Sequence, residues 1–221
     1  MNAAIILAGG TGTRTGLNVP KQFVLVNDKP IIQYCYDTVE ASKHTDAVVV
    51  VCEECYDDVI KNAKKELIFA RPGQTRQGSI INALEVLKDK KPGTVMIYDS
   101  ARPYVTVELI DSIYNALDGH DGVMPVLAMK DTVYECNDGK ITGLLNRDVI
   151  FAGQAPELFV FDKYFEANRA LTNETLAAIR GSSEPALLYG MDVVTVAGDE
   201  KNKKITTKTD IEELYESLSL K

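Results

Sequence analysis

Short apolar runs and amphipathic segments alternate along the chain. Continuous apolar runs are typical of strands buried on both faces, whereas apolar residues three and four positions apart are typical of helices with one buried face. We predict strands at residues 3–7, 47–52, 67–70, 94–98, 122–128 and 192–197. We predict helices at residues 31–39, 56–64, 76–87, 106–117, most of 162–188, and from 209 onward. This alternation indicates an α/β fold, a three-layer sandwich with a mostly parallel, twisted sheet.

The pattern changes at about residues 130–151, where residue types alternate as they do in a strand with one exposed face. Asn137-Asp138-Gly139 lies within this stretch and favours a tight hairpin turn. We therefore predict a projecting β-hairpin arm. Its strand edges would be exposed, so the arm either packs on a second subunit of a homodimer or forms a simple edge hairpin. Residues 1–221 otherwise form one predicted domain, without an internal repeat or a low-complexity linker.

The last predicted helix carries its own start signal. Residues 209–212 read Thr-Asp-Ile-Glu, which is the spacing of a capping box. The residues that then fall on one helical face, and that we predict to be buried, are Ile211, Leu214, Tyr215 and Leu218.

A glycine-rich segment follows the first predicted strand. Residues 7–14 read Leu-Ala-Gly-Gly-Thr-Gly-Thr-Arg, and Lys21 follows shortly after. Open α/β sheets bind ligands at the carboxyl ends of their strands, and Gly9, Gly10 and Gly12 would let the backbone approach an anion closely. Arg14 and Lys21 would add a guanidinium and an ammonium that neutralise the anion. The segment therefore predicts a phosphate-binding loop.

Two well-known glycine loops do not fit this segment. A Walker A loop has Lys and then Ser or Thr directly after its last glycine, whereas Gly16 is followed by Leu17 and Asn18. The dinucleotide fingerprint would place its third glycine at Thr15 and open into a long helix, which Pro20 interrupts. A dinucleotide-dependent oxidoreductase is therefore disfavoured. An ordinary glycine-rich turn is the alternative to a phosphate site.

Charged residues also follow another predicted strand. Residues 94–98 lead directly into Asp99-Ser100-Ala101-Arg102-Pro103. Parallel pairing would place this segment at the same sheet edge as the glycine loop. We therefore expect Asp99 and Arg102 to lie where the phosphates would bind.

The charge balance narrows the class of ligand. The 221 residues are 45% hydrophobic and 25% charged, and the formal net charge of -8 disfavours a nucleic-acid-binding surface. The cations near the predicted loops instead indicate a local anion pocket. No apolar run approaches the roughly 18 residues of a membrane span, and the first residues lack a signal-peptide pattern. We expect a cytoplasmic protein with no nucleic-acid or membrane partner.

Several separated motifs agree with one family. In chain order they are residues 7–14, Pro20-Lys21-Gln22, Pro72-Gly73 with residues 76–79, residues 99–103, Asp131-Thr132, Arg147 and Lys204-Ile205-Thr206-Thr207. Together, and nearly end to end, they resemble the polyol-phosphate cytidylyltransferases, the group with the ribitol-5-phosphate and 2-C-methyl-D-erythritol 4-phosphate enzymes. The resemblance implies a Rossmann-like nucleotidyltransferase fold that binds CTP, Mg²⁺ and a polyol phosphate.

The same resemblance implies a role for individual residues. The residues implied to bind the nucleotide are Leu7, Ala8, Gly9, Gly10, Gly12, Gly73, Gln74 and Ser79. The implied catalytic cations are Arg14, Lys21 and Lys204. The residues implied to face the acceptor are Arg102, Thr132 and Arg147, the last reaching across from the arm of a second subunit. Asp99 is the implied ligand of Mg²⁺.

The chemistry of such a transfer agrees with a site of this composition. A phosphate monoester has its second pKa near about 6, so at neutral pH the acceptor oxygen is already an anionic nucleophile and needs no general base. Catalysis then consists of bringing two anions together in line and stabilising the charge that develops. A site rich in Arg and Lys, without a catalytic histidine, suits this task.

The chain departs from the family pattern in three places. Residues 154–157 read Gln-Ala-Pro-Glu where Gln-Thr-Pro-Gln is usual, so a hydroxyl expected near the acceptor is missing. The Thr-Asp-Asp/Glu motif has only partial matches, at residues 172–174 and 182–184. Lys201 stands where an acidic residue is common, which leaves Asp99 as the one metal carboxylate we name.

The expected reaction is transfer of CMP from CTP to D-ribitol 5-phosphate. Leu-Ala-Gly-Gly at residues 7–10, Gly153-Gln154 and Asp99-Ser100 resemble the ribitol enzymes more closely than the erythritol enzymes. The alternative acceptor is 2-C-methyl-D-erythritol 4-phosphate, and other small polyol phosphates are further candidate acceptors. A non-catalytic nucleotide-binding regulator is the alternative from a different class of protein.

Overall fold

A computed structural model describes residues 1–10 and 19–219. The strands are β1 (Asn2–Leu7), β2 (Leu25–Val26), β3 (Lys29–Pro30), β4 (Ala47–Val51), β5 (Glu66–Ala70), β6 (Thr94–Asp99), β7 (Gly122–Ala128), β8 (Val133–Asn137), β9 (Lys140–Leu145), β10 (Phe151–Gly153), β11 (Glu157–Val160) and β12 (Val193–Ala197). The helices are α1 (Ile31–Ala41), α2 (Arg76–Leu87), α3 (Val107–Asn115), α4 (Phe161–Arg169), α5 (Asn173–Ala178), α6 (Glu184–Leu188) and α7 (Lys208–Ser219).

Within the described residues, eight strands form one sheet. Its path runs β10-β7-β11-β6-β1-β4-β5, and β12 pairs with β7. Strands β6, β1, β4 and β5 are parallel to one another, and β12 is parallel to β7. Strand β11 runs antiparallel between β6 and β7, and β10 is antiparallel to β7. The prediction of a mostly parallel sheet is confirmed.

The strand register aligns the carboxyl ends that matter for function. Leu7 at the end of β1 is paired with Asp99 on one side and Val51 on the other. Val51 is in turn paired with Ala70 at the end of β5. The glycine loop, Asp99 and the connection that leads into α2 therefore leave the sheet at the same edge.

Helices cover both faces of the sheet and form the three predicted layers. Side chains of α1 and α3 pack on one face, and those of α2, α4 and α6 pack on the other. Along β1, Ala4 and Ile6 face the first layer while Ala3 and Ile5 face the second. All four are fully buried, as expected for a strand that is apolar throughout.

The predicted arm is a separate two-stranded sheet made of β8 and β9. Asp138 and Gly139 form its turn with φ of 46° and 76°, the left-handed pair that a tight hairpin turn requires. Tyr134, Ile141 and Leu144 on the arm are more than half exposed. The arm thus presents apolar side chains to its surroundings, and the chain rejoins the main sheet at β10.

The helix predicted at residues 56–64 is wrong. A single 3₁₀ turn at Glu54–Tyr56 is followed by irregular chain. Side chains of α1 bind its backbone instead: Gln33 Oε1 accepts from the N–H of Lys61 at 2.9 Å, and Glu40 Oε1 accepts from the N–H of Lys64 at 2.5 Å. These N–H groups are therefore not available for helical bonds.

The last helix begins at Lys208, and its capping residue lies two residues earlier than predicted. Thr207 Oγ1 accepts from the N–H of Asp210 at 3.2 Å, and Asp210 Oδ2 accepts from the N–H of Thr207 at 2.7 Å. This reciprocal pair caps α7 in place of Thr209. Leu214 is buried as predicted, whereas Tyr215 is about half exposed. Among the described residues, no helix combines the length and the apolar character needed to cross a bilayer.

Candidate active site

The common sheet edge opens into a pocket of about 650 Å³. The predicted residues that line it are Leu7, Gly9, Gly10, Lys21, Gly73, Gln74, Ser79, Asp99 and Lys204. Ala8 lies beside them but is buried, with 2% of its surface exposed. Gly12 and Arg14 lie outside the described residues. The nucleotide, metal and lysine positions named from the sequence are thus brought together around one pocket.

Gln22 holds the start of the glycine loop. Its Nε2 donates to the carbonyl oxygens of Ala8 at 2.6 Å and Gly10 at 2.8 Å, and its side chain is buried. The N–H of Ala8 donates to the carbonyl of Val51 at 2.9 Å, which ties the loop to β4. The bonds to Gln22 use carbonyl groups of the loop. Backbone N–H groups of a loop held in this way can be directed toward an anion.

The turn before α2 is built around Gly73. Ser79 Oγ accepts from the N–H of Gly73 at 3.0 Å and donates to the carbonyl of Thr75 at 3.1 Å. Thr75 Oγ1 caps the helix by accepting from the N–H of Gly78 at 2.9 Å. A Cβ on Gly73 would lie 2.5 Å from the carbonyl carbon of Gly78, so only glycine fits. Ser79 therefore lines the pocket while its hydroxyl fixes the turn.

Asp99 is the centre of a cluster of cations. Its Oδ1 accepts from Arg76 Nη2 at 2.8 Å and its Oδ2 accepts from Lys204 Nζ at 2.8 Å, while Arg102 Nε lies 3.8 Å from Oδ2. Burial by itself would raise the pKa of Asp99, but the charges of Arg76 and Lys204 outweigh burial and hold the pKa well below its usual range. Asp99 is therefore ionised at neutral pH.

The two predicted lysines are positioned by the same short segment. Lys204 precedes Ile205, whose N–H donates to the carbonyl of Ala101 at 2.8 Å and whose side chain is buried against Ala101 and Leu214. Lys21 Nζ donates to the carbonyl of Ile205 at 2.6 Å. Docking of this segment beside β6 thus brings Lys21 and Lys204 to one side of the pocket.

Gln154 and Ala155 hold the loop before Lys204, although the resemblance to the family relates both positions to the acceptor. Gln154 Nε2 donates to the carbonyl of Asp199 at 3.0 Å, and its Oε1 accepts from the N–H of Asp199 at 3.0 Å. Asn202 Nδ2 donates to the carbonyl of Ala155 at 2.8 Å. Gln154 and Ala155 are both buried, so they support this loop.

Three residues of the site were missed or given no role by sequence reasoning. Arg76 belonged to a recognised motif, yet its bond to Asp99 is visible only in the structure. Arg76 Nη1 also donates to Ser182 Oγ at 3.0 Å, and Ser182 Oγ donates to Glu157 Oε1 at 2.8 Å. Burial raises the pKa of Glu157 to about 7, although the Ser182 hydrogen bond and the Arg76 charge lower it.

The predicted acceptor residues are more dispersed. Arg102 is mostly buried next to Asp99, and its Nη1 donates to the carbonyl of Asn202 at 2.7 Å. Thr132 and Arg147 are exposed on or beside the arm, and Arg147 Nη1 donates to the carbonyl of Lys130 at 2.9 Å. Neither lines the pocket of its own chain. The structure thus brings the residues predicted to bind the nucleotide together around one pocket and leaves the arm residues apart.

A glycine loop and a ring of cations around one carboxylate, at the carboxyl edge of a Rossmann-like sheet, define a nucleotidyltransferase-type site. The family model described as "IspD: 2-C-methyl-D-erythritol 4-phosphate cytidylyltransferase" matches residues 2–215. The chain belongs to this family.

Relatives within the family carry two different substrate names. The 2-C-methyl-D-erythritol 4-phosphate cytidylyltransferase of Caldicellulosiruptor bescii is 32% identical over 212 residues, covering 94% of this chain and 93% of that protein. The ribitol-5-phosphate cytidylyltransferase of Streptococcus pneumoniae is 31% identical over 220 residues, covering 93% and 94%. A crystal structure of 4-diphosphocytidyl-2C-methyl-D-erythritol synthase from Anaerococcus prevotii has a TM-score of 0.83 at 26% identity, covering 99% of this chain and 96% of that chain.

The chain spans about half the length of other relatives. The protein of Novosphingobium aromaticivorans named bifunctional enzyme IspD/IspF is 33% identical over 214 residues, which make up 96% of this chain and 55% of that protein. The similarity is thus confined to about one half of these longer proteins.

Proposed function

We propose that the protein transfers CMP from CTP to a polyol phosphate and releases pyrophosphate. The observation that carries the proposal is the pocket in which Lys21 and Lys204 stand beside the glycine loop and the ionised Asp99. An oxygen of the acceptor phosphate attacks the α-phosphorus of CTP and forms a new P–O bond. The bond from the α-phosphorus to the bridging oxygen breaks, and its electron pair leaves with pyrophosphate.

The charge distribution suits this step. The acceptor phosphate is anionic at neutral pH and needs no general base. No histidine is among the described residues that line the pocket. Lys21, Lys204 and Arg14 would reduce the repulsion between the two anions and stabilise the negative charge that builds up on the leaving pyrophosphate.

Asp99 is the residue that we propose to hold Mg²⁺. Among the described residues, no three His, Cys, Asp or Glu side chains gather into a metal site. Mg²⁺ is commonly bound through one or two carboxylates together with substrate phosphates, so a single carboxylate beside the triphosphate fits it. Asp99 accepts one hydrogen bond from Arg76 and one from Lys204, which leaves further lone pairs for a cation. When bound, Mg²⁺ supplies positive charge to the triphosphate.

The acceptor that we propose is D-ribitol 5-phosphate, with Arg102, Thr132 and Arg147 facing it. Leu7-Ala8-Gly9-Gly10 and Asp99-Ser100 favour ribitol as the acceptor. Gln154 does not add to this preference, because its buried side chain binds the loop before Lys204. A second candidate is 2-C-methyl-D-erythritol 4-phosphate. The family description and the similarity to the Caldicellulosiruptor bescii protein support this acceptor as strongly as the residues above support ribitol 5-phosphate.

A homodimer is part of this proposal. Thr132 and Arg147 do not line the pocket of their own chain, and the arm beside them exposes Tyr134, Ile141 and Leu144. Pairing of two arms would cover these apolar side chains and exposed strand edges. Arg147 would then reach the acceptor in the pocket of the partner subunit.

One assay tests the reaction and the acceptor together. Pyrophosphate release from CTP is measured with ribitol 5-phosphate, 2-C-methyl-D-erythritol 4-phosphate, glycerol phosphate and xylitol phosphate, with and without Mg²⁺. We expect Mg²⁺-dependent release, with the highest kcat/KM for ribitol 5-phosphate. If the erythritol phosphate exceeds ribitol phosphate by about tenfold in kcat/KM, the second candidate is correct. If no acceptor supports release, the enzymatic proposal fails and a nucleotide-binding regulator takes its place.

A further inference from the structure

Glu157 is a buried carboxylate behind the pocket. It begins β11, where it is paired with Ile97 of β6, and only 8% of its surface is exposed. It is not among the residues that line the pocket. A buried carboxylate is costly unless it makes a specific interaction, so its contacts call for an explanation.

A hydrogen-bonded path leads from Glu157 into the pocket. Glu157 Oε1 accepts from Ser182 Oγ at 2.8 Å, and Ser182 Oγ accepts from Arg76 Nη1 at 3.0 Å. The other terminal nitrogen of Arg76, Nη2, donates to Asp99 Oδ1 at 2.8 Å. The guanidinium thus spans a neutral hydroxyl and a charged carboxylate, and each end of it is held at a defined atom.

The Ser182 hydroxyl can serve Arg76 only in one orientation. A hydroxyl has one proton to donate and lone pairs to accept with, and the guanidinium can only donate. Because the Ser182 proton goes to Glu157, its lone pairs face Arg76. Without an acceptor at residue 157, the hydroxyl would be free to turn its proton toward Arg76. The positively charged guanidinium and this proton would then repel each other.

The rest of Ser182 is held in place independently. Ser182 is fully buried, and its carbonyl accepts from the hydroxyl of Tyr164 on α4 at 2.7 Å. The backbone of residue 182 is therefore fixed by Tyr164, while the orientation of the side-chain hydroxyl depends on Glu157. The effect of Glu157 on the Ser182 hydroxyl can therefore be distinguished from the packing of the loop between α5 and α6.

We propose that Glu157 is a positioning residue for the transfer reaction: through Ser182, it holds Arg76 so that Arg76 and Lys204 grip opposite oxygens of Asp99. The inference rests on the proposed function. If Arg76 is released, Asp99 loses one of its two hydrogen-bond partners, and its charge is then neutralised mainly by Lys204, which stays at the carboxylate and neutralises the reacting phosphates less. Turnover should then fall more than nucleotide affinity, because Gly73 and Ser79 keep their mutual hydrogen bond.

Four variants test this chain of contacts. Glu157→Met keeps the length of the side chain without an oxygen acceptor, Glu157→Gln keeps an acceptor, and Ser182→Ala removes the relay. Leu158→Ala is the matched control, since Leu158 is buried on the opposite face of the same strand. For each, kcat and the KM for CTP are measured by pyrophosphate release, together with the thermal midpoint. We expect Glu157→Met and Ser182→Ala to lower kcat by about tenfold or more with KM changed less than about threefold.

The conservative and combined variants sharpen the test. Glu157→Gln should keep kcat within about threefold of wild type, and the Glu157→Met/Ser182→Ala double variant should lose no more than the worse single variant, because both act through one path. A kcat for Glu157→Met no lower than that of Leu158→Ala would overturn the inference and leave Glu157 a packing residue. Full additivity in the double variant would also overturn it.

A second readout does not depend on turnover. The side-chain ¹⁵N NMR signals of Arg76, assigned by their loss in Arg76→Lys, report whether both terminal nitrogens are held. We expect separate Nη signals in wild type and Glu157→Gln, and averaged signals in Glu157→Met and Ser182→Ala. Unchanged signals in Glu157→Met would contradict the positioning role. If no acceptor supports turnover, the proposed function fails while these signals still decide the inference.

Discussion

The ammonium of Lys204 lies 2.8 Å from Oδ2 of Asp99, although 105 residues separate them along the chain. This contact joins the segment that follows β12 to the carboxyl end of β6. The same segment carries Ile205, whose carbonyl accepts from Lys21. This one segment therefore helps to position both lysines of the pocket, and their individual contributions can be tested by substitution.

Lys21→Ala and Lys204→Ala are each expected to lower kcat by about a hundredfold or more, because each removes a cation that stabilises charge only as the transition state forms. Circular dichroism and thermal unfolding should show the folded state retained. Lys203→Ala is the control, since Lys203 pairs with Glu213 and both side chains are largely exposed. A kcat close to wild type in either pocket variant would rule out the proposed electrostatic mechanism.

The regular parts of this site could be predicted from sequence because they depend on local patterns. Buried strands are apolar throughout, and parallel pairing brings their carboxyl ends together, so residues 7–10 and Asp99 were placed correctly at one edge. The pairing of Arg76 with Asp99 could not be predicted in this way. It depends on where the side chain points after α2 packs on the sheet, and on Ser182, which is 106 residues away in sequence.

The wrong helix at residues 56–64 has a similar cause. Apolar residues such as Val59 and Ile60 do pack on the core, so the helical spacing was a real signal of burial. The backbone conformation was decided by Gln33 and Glu40, which bind the N–H groups of Lys61 and Lys64. Competition from side chains that are distant in sequence is not visible in a local pattern.

Asp99→Asn is expected to raise the Mg²⁺ concentration needed for half-maximal rate or to abolish turnover, because a neutral amide is a weaker ligand for Mg²⁺. The variant also leaves Arg76 and Lys204 without a neutralising charge, but both side chains are more than a third exposed, so its stability to urea should fall by only about 1–3 kcal/mol. The Mg²⁺ titration is therefore run under conditions in which both the wild type and Asp99→Asn are folded. Asp111→Asn on α3 is the control. An unchanged Mg²⁺ midpoint would leave Asp99 with a purely structural role.

Gly73→Ala is expected to destabilise the protein by about 1–3 kcal/mol and to weaken nucleotide binding. The added Cβ would lie 2.5 Å from the carbonyl carbon of Gly78 and 2.8 Å from the nitrogen of Ser79, and backbone atoms cannot move aside cheaply. Gly10→Ala is the matched control for stability, because no heavy atom of residues 1–10 or 19–219 lies within 4 Å of a Cβ built at Gly10. Equal unfolding free energies for the two variants in urea would contradict the steric argument.

The pKa of Glu157 predicts a pH dependence of stability. Burial raises this pKa from 4.5 to about 7, so between these values the folded protein holds a proton that the unfolded chain has released. The contribution of Glu157 to the free energy of unfolding should therefore fall as pH rises from about 4.5 to about 7, and it should level off above that. The charged or titratable groups around it are Arg76, Asp99, Arg102 and Tyr164.

Glu157→Gln isolates this contribution, because Gln does not titrate. Urea unfolding of both proteins at several pH values gives two curves, and their difference should change with the stated sign over that window. Curves that stay parallel across the window would show that the pKa of Glu157 does not differ between the folded and unfolded states.

The proposed contribution of Arg147 across a dimer can be tested by mixing two inactive variants. Arg147→Ala removes the arm residue, and Lys21→Ala removes a cation of the pocket. If Arg147 acts in the partner's pocket, a mixed dimer carries both substitutions in one site and leaves the other site intact. Random reassembly of equal amounts should then restore activity to about a quarter of wild type. If Arg147 acts within its own chain, each site of a mixed dimer has one defect and the mixture stays inactive. Sedimentation of the wild type provides the control, since a fully active monomer would contradict the dimer itself.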